Sequence, residues 1–483
     1  MARQVKPLEN AGVPVKENDF RRGPFLGVLM AGVFVAILNQ TLLATALPHI
    51  MEDLEINANT AQWLTTVFML VNGVMIPITA FLIGKFSTRQ LFLAALGLFA
   101  AGTIICAIAP GFNLLMLGRI IQASGAGIMM PLTQTILFLV FPVEKRGQAM
   151  GLFGLVISFA PALGPTLSGW IVGLYPWRAL FYIVIPIAVI DLVLAYFLLR
   201  NVTKQTFPAL DILSVVLSTL GFGGILYGFS SAGNTGWSSA PVLVSITVGI
   251  VSLIVFIHRQ STLKEPLLEF KVFSYGIFTL STILSVIVFI SMIGSATILP
   301  IYMQTMHGFS ALESGLMLLP GALVMGFMNP VTGKIFDAVG GKWLAIVGLS
   351  IVTVSTFQFT ALTTATSFTY LTVMHAIRMF GVSMVMMPVT TAGLNQLPER
   401  LVPHGTAMSN TMRQVSGSIA TALLVTIMTG TALDPVQYGA EGLVRGVNIS
   451  FIVVGVLSGI GILLAFFLGK KQPQKSRKEI KKE

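Results

Sequence analysis

Residues 44–51 read Ala44-Thr45-Ala46-Leu47-Pro48-His49-Ile50-Met51, and residues 296–303 read Ala296-Thr297-Ile298-Leu299-Pro300-Ile301-Tyr302-Met303. Each closes an apolar stretch. Further pairs follow in the same order along both halves. Gly84-Lys85-Phe86 is echoed by Gly333-Lys334-Ile335-Phe336, Met129-Met130-Pro131 by Met386-Met387-Pro388, and Gly147-Gln148-Ala149-Met150 by Gly405-Thr406-Ala407-Met408. A membrane protein made of two similar halves can place a binding site between them and rock one against the other.

Composition demands a membrane. Of 483 residues, 55% are hydrophobic and 10% are charged, against about 25% charged in a soluble domain. The single cysteine, Cys106, excludes an internal disulfide and a cysteine-based metal cluster, and its apolar surroundings read as core. The first apolar run, 24–47, is too long for a signal-peptide core and is expected to remain in the protein.

A membrane-spanning helix needs about 20 mostly apolar residues. Fourteen windows qualify: 24–47, 61–83, 91–110, 113–141, 147–174, 178–199, 210–230, 240–257, 276–303, 311–333, 342–363, 367–391, 405–430 and 446–469. With both termini cytoplasmic, the inside segments hold 24 of the 29 basic residues, and the first outside loop carries Glu52, Asp53 and Glu55 with no Lys or Arg. That asymmetry is the positive-inside pattern. It also explains the net charge of +11 without nucleic acid, and the basic tail reads as a topology signal that touches anionic lipid.

The repeat offset is always eight spans, so the arrangement is six plus two plus six. The expected units are a cytoplasmic segment 1–23, a six-helix bundle 24–200, two inserted helices with linkers 201–271, a second bundle 272–469 and a basic cytoplasmic tail 470–483.

Several segments carry a family resemblance. They are Leu38-Asn39-Gln40-Thr41 through Pro48, Gly84-Lys85-Phe86-Ser87-Thr88-Arg89, Gly118-Arg119 through Gln122 and Gly127, Gly154 through Gly164-Pro165 and Gly169, Trp177-Arg178, and Asn410 through Arg413 and Ile419. In these the chain resembles the major facilitator superfamily, and within it the 14-span drug:proton antiporters of the EmrB/QacA type. It looks closest to the Gram-positive lincomycin-resistance branch. The resemblance implies an all-α polytopic membrane protein with two pseudo-symmetric bundles. Two departures stand out: Asn39 occupies a position where the family commonly has aspartate, and Ser87 stands near a usual acidic position, whereas the second half keeps Asp337.

Charges inside spans are costly and therefore informative. Arg119 either neighbours a carboxylate of a proton relay or substrate, or bonds backbone carbonyls and pins its helix. Arg378 is its repeat counterpart, and Arg413 is a further buried candidate. Asp191 is the only carboxylate well inside a span, and a carboxylate in apolar surroundings suits a proton carrier. Arg119 and Asp191 form the expected coupling pair. Glu313, at the outer end of span ten, is a further candidate for proton uptake, or else an exposed loop acid. Asp211 and His375 read as structural.

Asn39 can hydrogen-bond but cannot carry a proton. With Gln40, Thr41, Gln122, Met129, Arg378 and Arg413 it is expected to line the substrate cavity. Gly84, Arg89, Gly154, Gly164, Pro165, Gly169 and Asp337 are read as the conformational motif, through close packing and a bend in span five.

No phosphate-binding loop, metal cluster or catalytic triad stands out, so the chain is read as no enzyme, with no cofactor and driven by an ion gradient, which the resemblance implies is the proton gradient. The expected function is export of hydrophobic or amphipathic antibiotics, lincosamides among them, in exchange for protons across the bacterial cytoplasmic membrane. Its partners are then small-molecule drugs, protons and membrane lipids, with no nucleic acid; the sequence leaves the oligomeric state open and is compatible with a monomer. Export of an endogenous metabolite, lipid or siderophore is the alternative, and a non-transporting sensor or scaffold is the second.

Overall fold

The computed structural model describes residues 22–203 and 205–469; the basic terminal segments 1–21 and 470–483 lie outside the described residues. Every regular element among them is helical. Among the described residues, fourteen helices are long and apolar enough to cross a membrane. Helices suit this solvent because each satisfies its own backbone hydrogen bonds where no water can.

The first bundle contains α1 (Arg22–Asp53), α2 (Ala58–Lys85), α3 (Thr88–Ile108), α4 (Phe112–Val140), α5 (Arg146–Val172) and α6 (Ala179–Leu198). The inserted pair is α7 (Ile212–Thr235) and α8 (Ala240–Thr262). The second bundle contains α9 (Gly276–Ile301), α10 (Ala311–Val339), α11 (Gly341–Gln358), α12 (Phe368–Leu394), α13 (Val402–Thr431) and α14 (Pro435–Ala465). An even number of spans puts the start of α1 and the end of α14 on one face, the proximal face; the other face is distal.

Local chemistry marks the helix starts. Ser87 and Ser310 each cap a helix in a reciprocal box with Gln90 and Glu313, while Asn57 and Ser367 cap α2 and α12 through their side chains. Packing follows the repeat. The contacts of α2 with α4, α3 with α4 and α6, and α1 with α5 and α6 recur as α10 with α12, α11 with α12 and α14, and α9 with α13 and α14. The bundles meet along α5–α10 and α2–α13.

The inserted pair touches both bundles. Helix α7 packs on α2 and α13, with Tyr227 stacked on Trp63 and the Trp237 indole donating to Thr426 at 2.7 Å. On the proximal face, the amides of Thr206 and Phe207 donate to the carbonyl of Gly84. Asp211 accepts two bonds from Arg259 at 2.6 and 2.9 Å, and Glu265 accepts from the amide of Ala209. Gln260 accepts from the amide of Leu268, and the next amide, that of Glu269, donates to Nδ1 of His404 on α13. Arg400 lies 3.9 Å from the Glu269 carboxylate. The two linkers thus form a continuous polar bridge from the α2–α3 turn of one bundle to the start of α13 in the other.

Arg259 and Ser214 together hold the Asp211 carboxyl down at about 2. The clamp is therefore complete above the ordinary carboxylate range and is lost as pH falls toward 2. Asp211→Asn is expected to speed hydrogen exchange at Ala209 and Leu268 several-fold at neutral pH. Unchanged exchange would show that the clamp does not hold the linkers.

Candidate transport site

Arg119 on α4 is fully buried and ties its own helix to two others, α1 and α2. Its Nη1 donates to Asn39 Oδ1 at 2.8 Å and Gln122 Oε1 at 2.7 Å, its Nε donates to the carbonyl of Leu64, and the guanidinium lies 4.2 Å from the Phe68 ring centroid. Gln122 in turn donates to Thr103 on α3. Small residues permit this convergence. A β-carbon on Gly102 would stand 2.4 Å from the amide nitrogen of Gln122, and one on Gly125 would stand 2.2 Å from the carbonyl oxygen of Ala95. Arg119 therefore has neutral partners, with Asn39 foremost.

The expected pairing of Arg119 with Asp191 is corrected. Asp191 is 3% exposed, and its Oδ2 has no hydrogen-bond partner. It faces Gly32 of α1, where a β-carbon would stand 3.0 Å from Oδ2, next to the Met129 sulfur and the Phe92 ring. Gly32 precedes Asn39 by seven residues on α1, about 10 Å along the axis. The two charges sit at different depths, with Asp191 nearer the proximal face.

The second bundle builds a parallel site from different residues. Arg378 on α12 is fully buried. It donates to the hydroxyls of Thr356, Ser295 and Ser291 and to the carbonyl of Ser291. Ser291 lies five residues before Ala296, as Asn39 lies five before Ala44. The repeat thus keeps a polar acceptor from the bundle's first helix against an arginine on its fourth.

Polar contacts also cross between bundles. On α13, Arg413 donates to Asn410 Oδ1 at 2.6 Å and to Thr390 at 3.4 Å. Asn410 Nδ2 donates to Gln134 Oε1 on α4 at 2.8 Å. Asn329 on α10 donates to the Ser158 hydroxyl on α5 at 2.9 Å. The sequence reading passes over Gln134, Asn329 and Ser158; their signal was a polar side chain deep in an apolar run.

The α5–α10 contact is closest on the proximal side. Asp337 accepts from the amides of Gly147 at 2.7 Å and Gln148 at 2.9 Å, so a carboxylate caps the positive end of α5. Arg146 donates to Asn395 in the other bundle. A β-carbon on Gly333 would stand 2.1 Å from the Gly147 carbonyl oxygen, and one on Gly154 would stand 2.7 Å from Cγ of Met387. Contact continues to Phe159, which packs edge-on against Phe327. Beyond it, Pro165, Leu167, Gly169 and Trp170 of α5 are exposed.

The equivalent turn in the first bundle behaves differently. Gly84 meets the linker at Thr206 and Pro208, Ser87 caps its own helix, and Arg89 donates to the carbonyl of Tyr196. Gly164 admits Thr41 of α1, whose hydroxyl is also held by the carbonyl of Leu38. Gln40 is partly exposed, and Glu313 is exposed and closes its helix cap.

A family model described as Major Facilitator Superfamily matches residues 29–421. The chain belongs to this superfamily. It is a multi-pass membrane transporter rather than an enzyme. It is 56% identical to the uncharacterized MFS-type transporter YcnB of Bacillus subtilis, over 95% of this chain and 97% of that protein. It is 44% identical to the lincomycin resistance protein LmrB of Listeria monocytogenes, over 92% of this chain and 95% of that protein. The proton:xylose symporter XylE shares the fold at a TM-score of 0.65 and 13% identity, over 92% of this chain and 96% of that one.

Two outcomes are expected for this transporter. Asn39→Leu strips an acceptor from a buried guanidinium and should lower stability by about 1–3 kcal/mol, read as a drop in Tm, while Asn39→Asp should not. An Asn39→Leu protein that melts like the parent would show Arg119 to be indifferent to α1. Gly333→Ala should force α5 from α10, because the opposing atom is main chain. A cysteine placed at Ser158 should then label faster from the proximal side, and an unchanged rate would count against the tight seam.

Proposed function

We propose that this transporter exports hydrophobic or amphipathic drugs in exchange for protons, by alternating access, from the bacterial cytoplasm. The named lincomycin-resistance relative supports drug export as the task. The proximal face is assigned to the cytoplasm because its described loops and helix ends carry Lys85, Arg89, Lys145, Arg200, Lys264, Lys271 and Lys334, whereas the distal α1–α2 turn is acidic and the distal Arg178 is paired with Asp53.

The observation that carries proton coupling is Asp191, a carboxylate buried within a span with an unpartnered oxygen. A carboxylate with an unpartnered oxygen, set among apolar side chains against α1, is placed to exchange a proton as rocking changes its surroundings. The closed α5–α10 seam supports a conformation shut toward the cytoplasm. In the cycle, drug enters from the cytoplasm or inner leaflet while Asp191 is deprotonated. Proton uptake accompanies drug release outside, and proton release inside resets the cycle.

The test is proton movement in energised inverted vesicles challenged with lincomycin-like compounds. Drug-dependent proton efflux that Asp191→Asn abolishes is the expected result. Efflux retained by the variant would move the proton to another group, and no drug-dependent signal from folded protein would sink the antiport reading.

A further inference from the structure

The buried charges of the spans are unbalanced, and that imbalance names a substrate class for the export reading above, on which this inference rests. Three guanidinium groups lie buried in the described spans, those of Arg119, Arg378 and Arg413. Arginine remains charged in proteins. Asp191 is the one buried carboxylate within the described spans, and it pairs with none of them.

The three arginines differ in how fully they are used. Arg378 donates to four acceptors, while Arg119 donates to three, lies over an aromatic face and keeps its Nη2 without a partner but sealed from any exposure. Arg413 donates to two neutral acceptors, one of them at 3.4 Å, and keeps 5% of its surface exposed where the other two have none. It is also the one of the three whose hydrogen-bond partner reaches the opposite bundle. Through Asn410 it is joined to Gln134 of α4, whose Oε1 accepts from Asn410. That leaves Gln134 Nε2 fully buried without a partner, and the Thr406 hydroxyl, one turn before Asn410, is likewise unpartnered.

The cluster therefore has donors to spare and a positive charge that no acid balances. Leaving such groups dry costs more than pairing them, and an anionic oxygen satisfies a guanidinium and an amide N–H together. Arg413 lies eleven residues into α13, roughly 16 Å along it, near the depth where transporters of this kind bind substrate.

We propose that Arg413 and Gln134 form a docking site for the anionic oxygens, carboxylate or sulfonate, of an amphipathic substrate. The site draws residues from both bundles, so rocking that parts α4 from α13 dismantles it and lowers its affinity for the anion. A cationic head group at this site meets only like charge and surplus donors.

The experiment compares two probes with one apolar body, pyrenebutyrate and pyrenebutanol. Each is titrated by equilibrium dialysis into the purified full chain in phosphatidylcholine nanodiscs, with empty discs as the blank. Pyrenebutyrate is expected to bind about ten-fold more tightly than the alcohol. The ratio should fall toward one in Arg413→Gln, fall partly in Gln134→Leu, and largely persist in Arg413→Lys, which keeps the charge. A ratio near one in the parent protein, or an unchanged ratio in Arg413→Gln, overturns the proposal. If Arg413→Gln does not fold, an unchanged ratio in Gln134→Leu does the same. Loss of the preference when phosphatidylglycerol replaces phosphatidylcholine would reassign the site to a lipid head group and overturn it as a substrate site. Because binding is read without a gradient, the vesicle assay can fail while this site stands, and the reverse.

Discussion

A guanidinium held within a membrane has to find its hydrogen-bond acceptors in the protein, since the bilayer offers none. In this transporter that requirement fixes how the helices of each bundle meet. Arg119 draws Asn39, Leu64 and Gln122 to one point, and with Thr103 behind Gln122 it locks four helices in register. Arg378 does the same with serine and threonine hydroxyls. The chemistry of the acceptors differs while the geometry is kept, as expected where the shared need is satisfaction of a cation rather than a particular partner.

Between the bundles the governing contact is different. The seam of α5 and α10 rests on glycine against glycine and on a carboxylate at a helix N-terminus. Both are short-range. Glycine contacts vanish with a small separation, and the attraction of Asp337 for the α5 amides falls off within a turn. The other side of the molecule lacks an acid at the matching turn, where Ser87 caps its own helix. There the linkers of the inserted helices bridge the bundles, with Glu269 lying at the start of α13. The insertion is thus woven into the proximal face on both sides.

Much of the architecture was legible in the chain. Apolar windows marked fourteen spans because a bilayer sets a length that few other structures need, and the ordered echoes from Ala44 and Ala296 divided them into bundles. Mid-span charges marked Arg119, Arg378, Arg413 and Asp191, because burial of charge is costly enough to be rare. Partner choice was not legible in this way. Arg119 and Asp191 looked like a pair by charge alone, yet they meet α1 at different depths, and a neutral asparagine takes the guanidinium instead. Glu313 had the composition of a proton acceptor and the position of a helix cap.

The sequence by itself determined the solvent, the number of spans, the repeat and the identity of the costly groups, since these follow from composition and one-dimensional spacing. Only the tertiary structure decided which groups meet. It set Gln134 against Asn410 across 276 positions of chain, placed Asp337 on α5, and left the Asp191 oxygen without a partner. Those contacts depend on helix rotation and depth, and a shift of one residue turns a helical side chain by about 100°. Periodicity in apolar residues constrains that rotation weakly in a membrane, where lipid and core are equally apolar, so the pairing of the polar residues is fixed by packing in three dimensions.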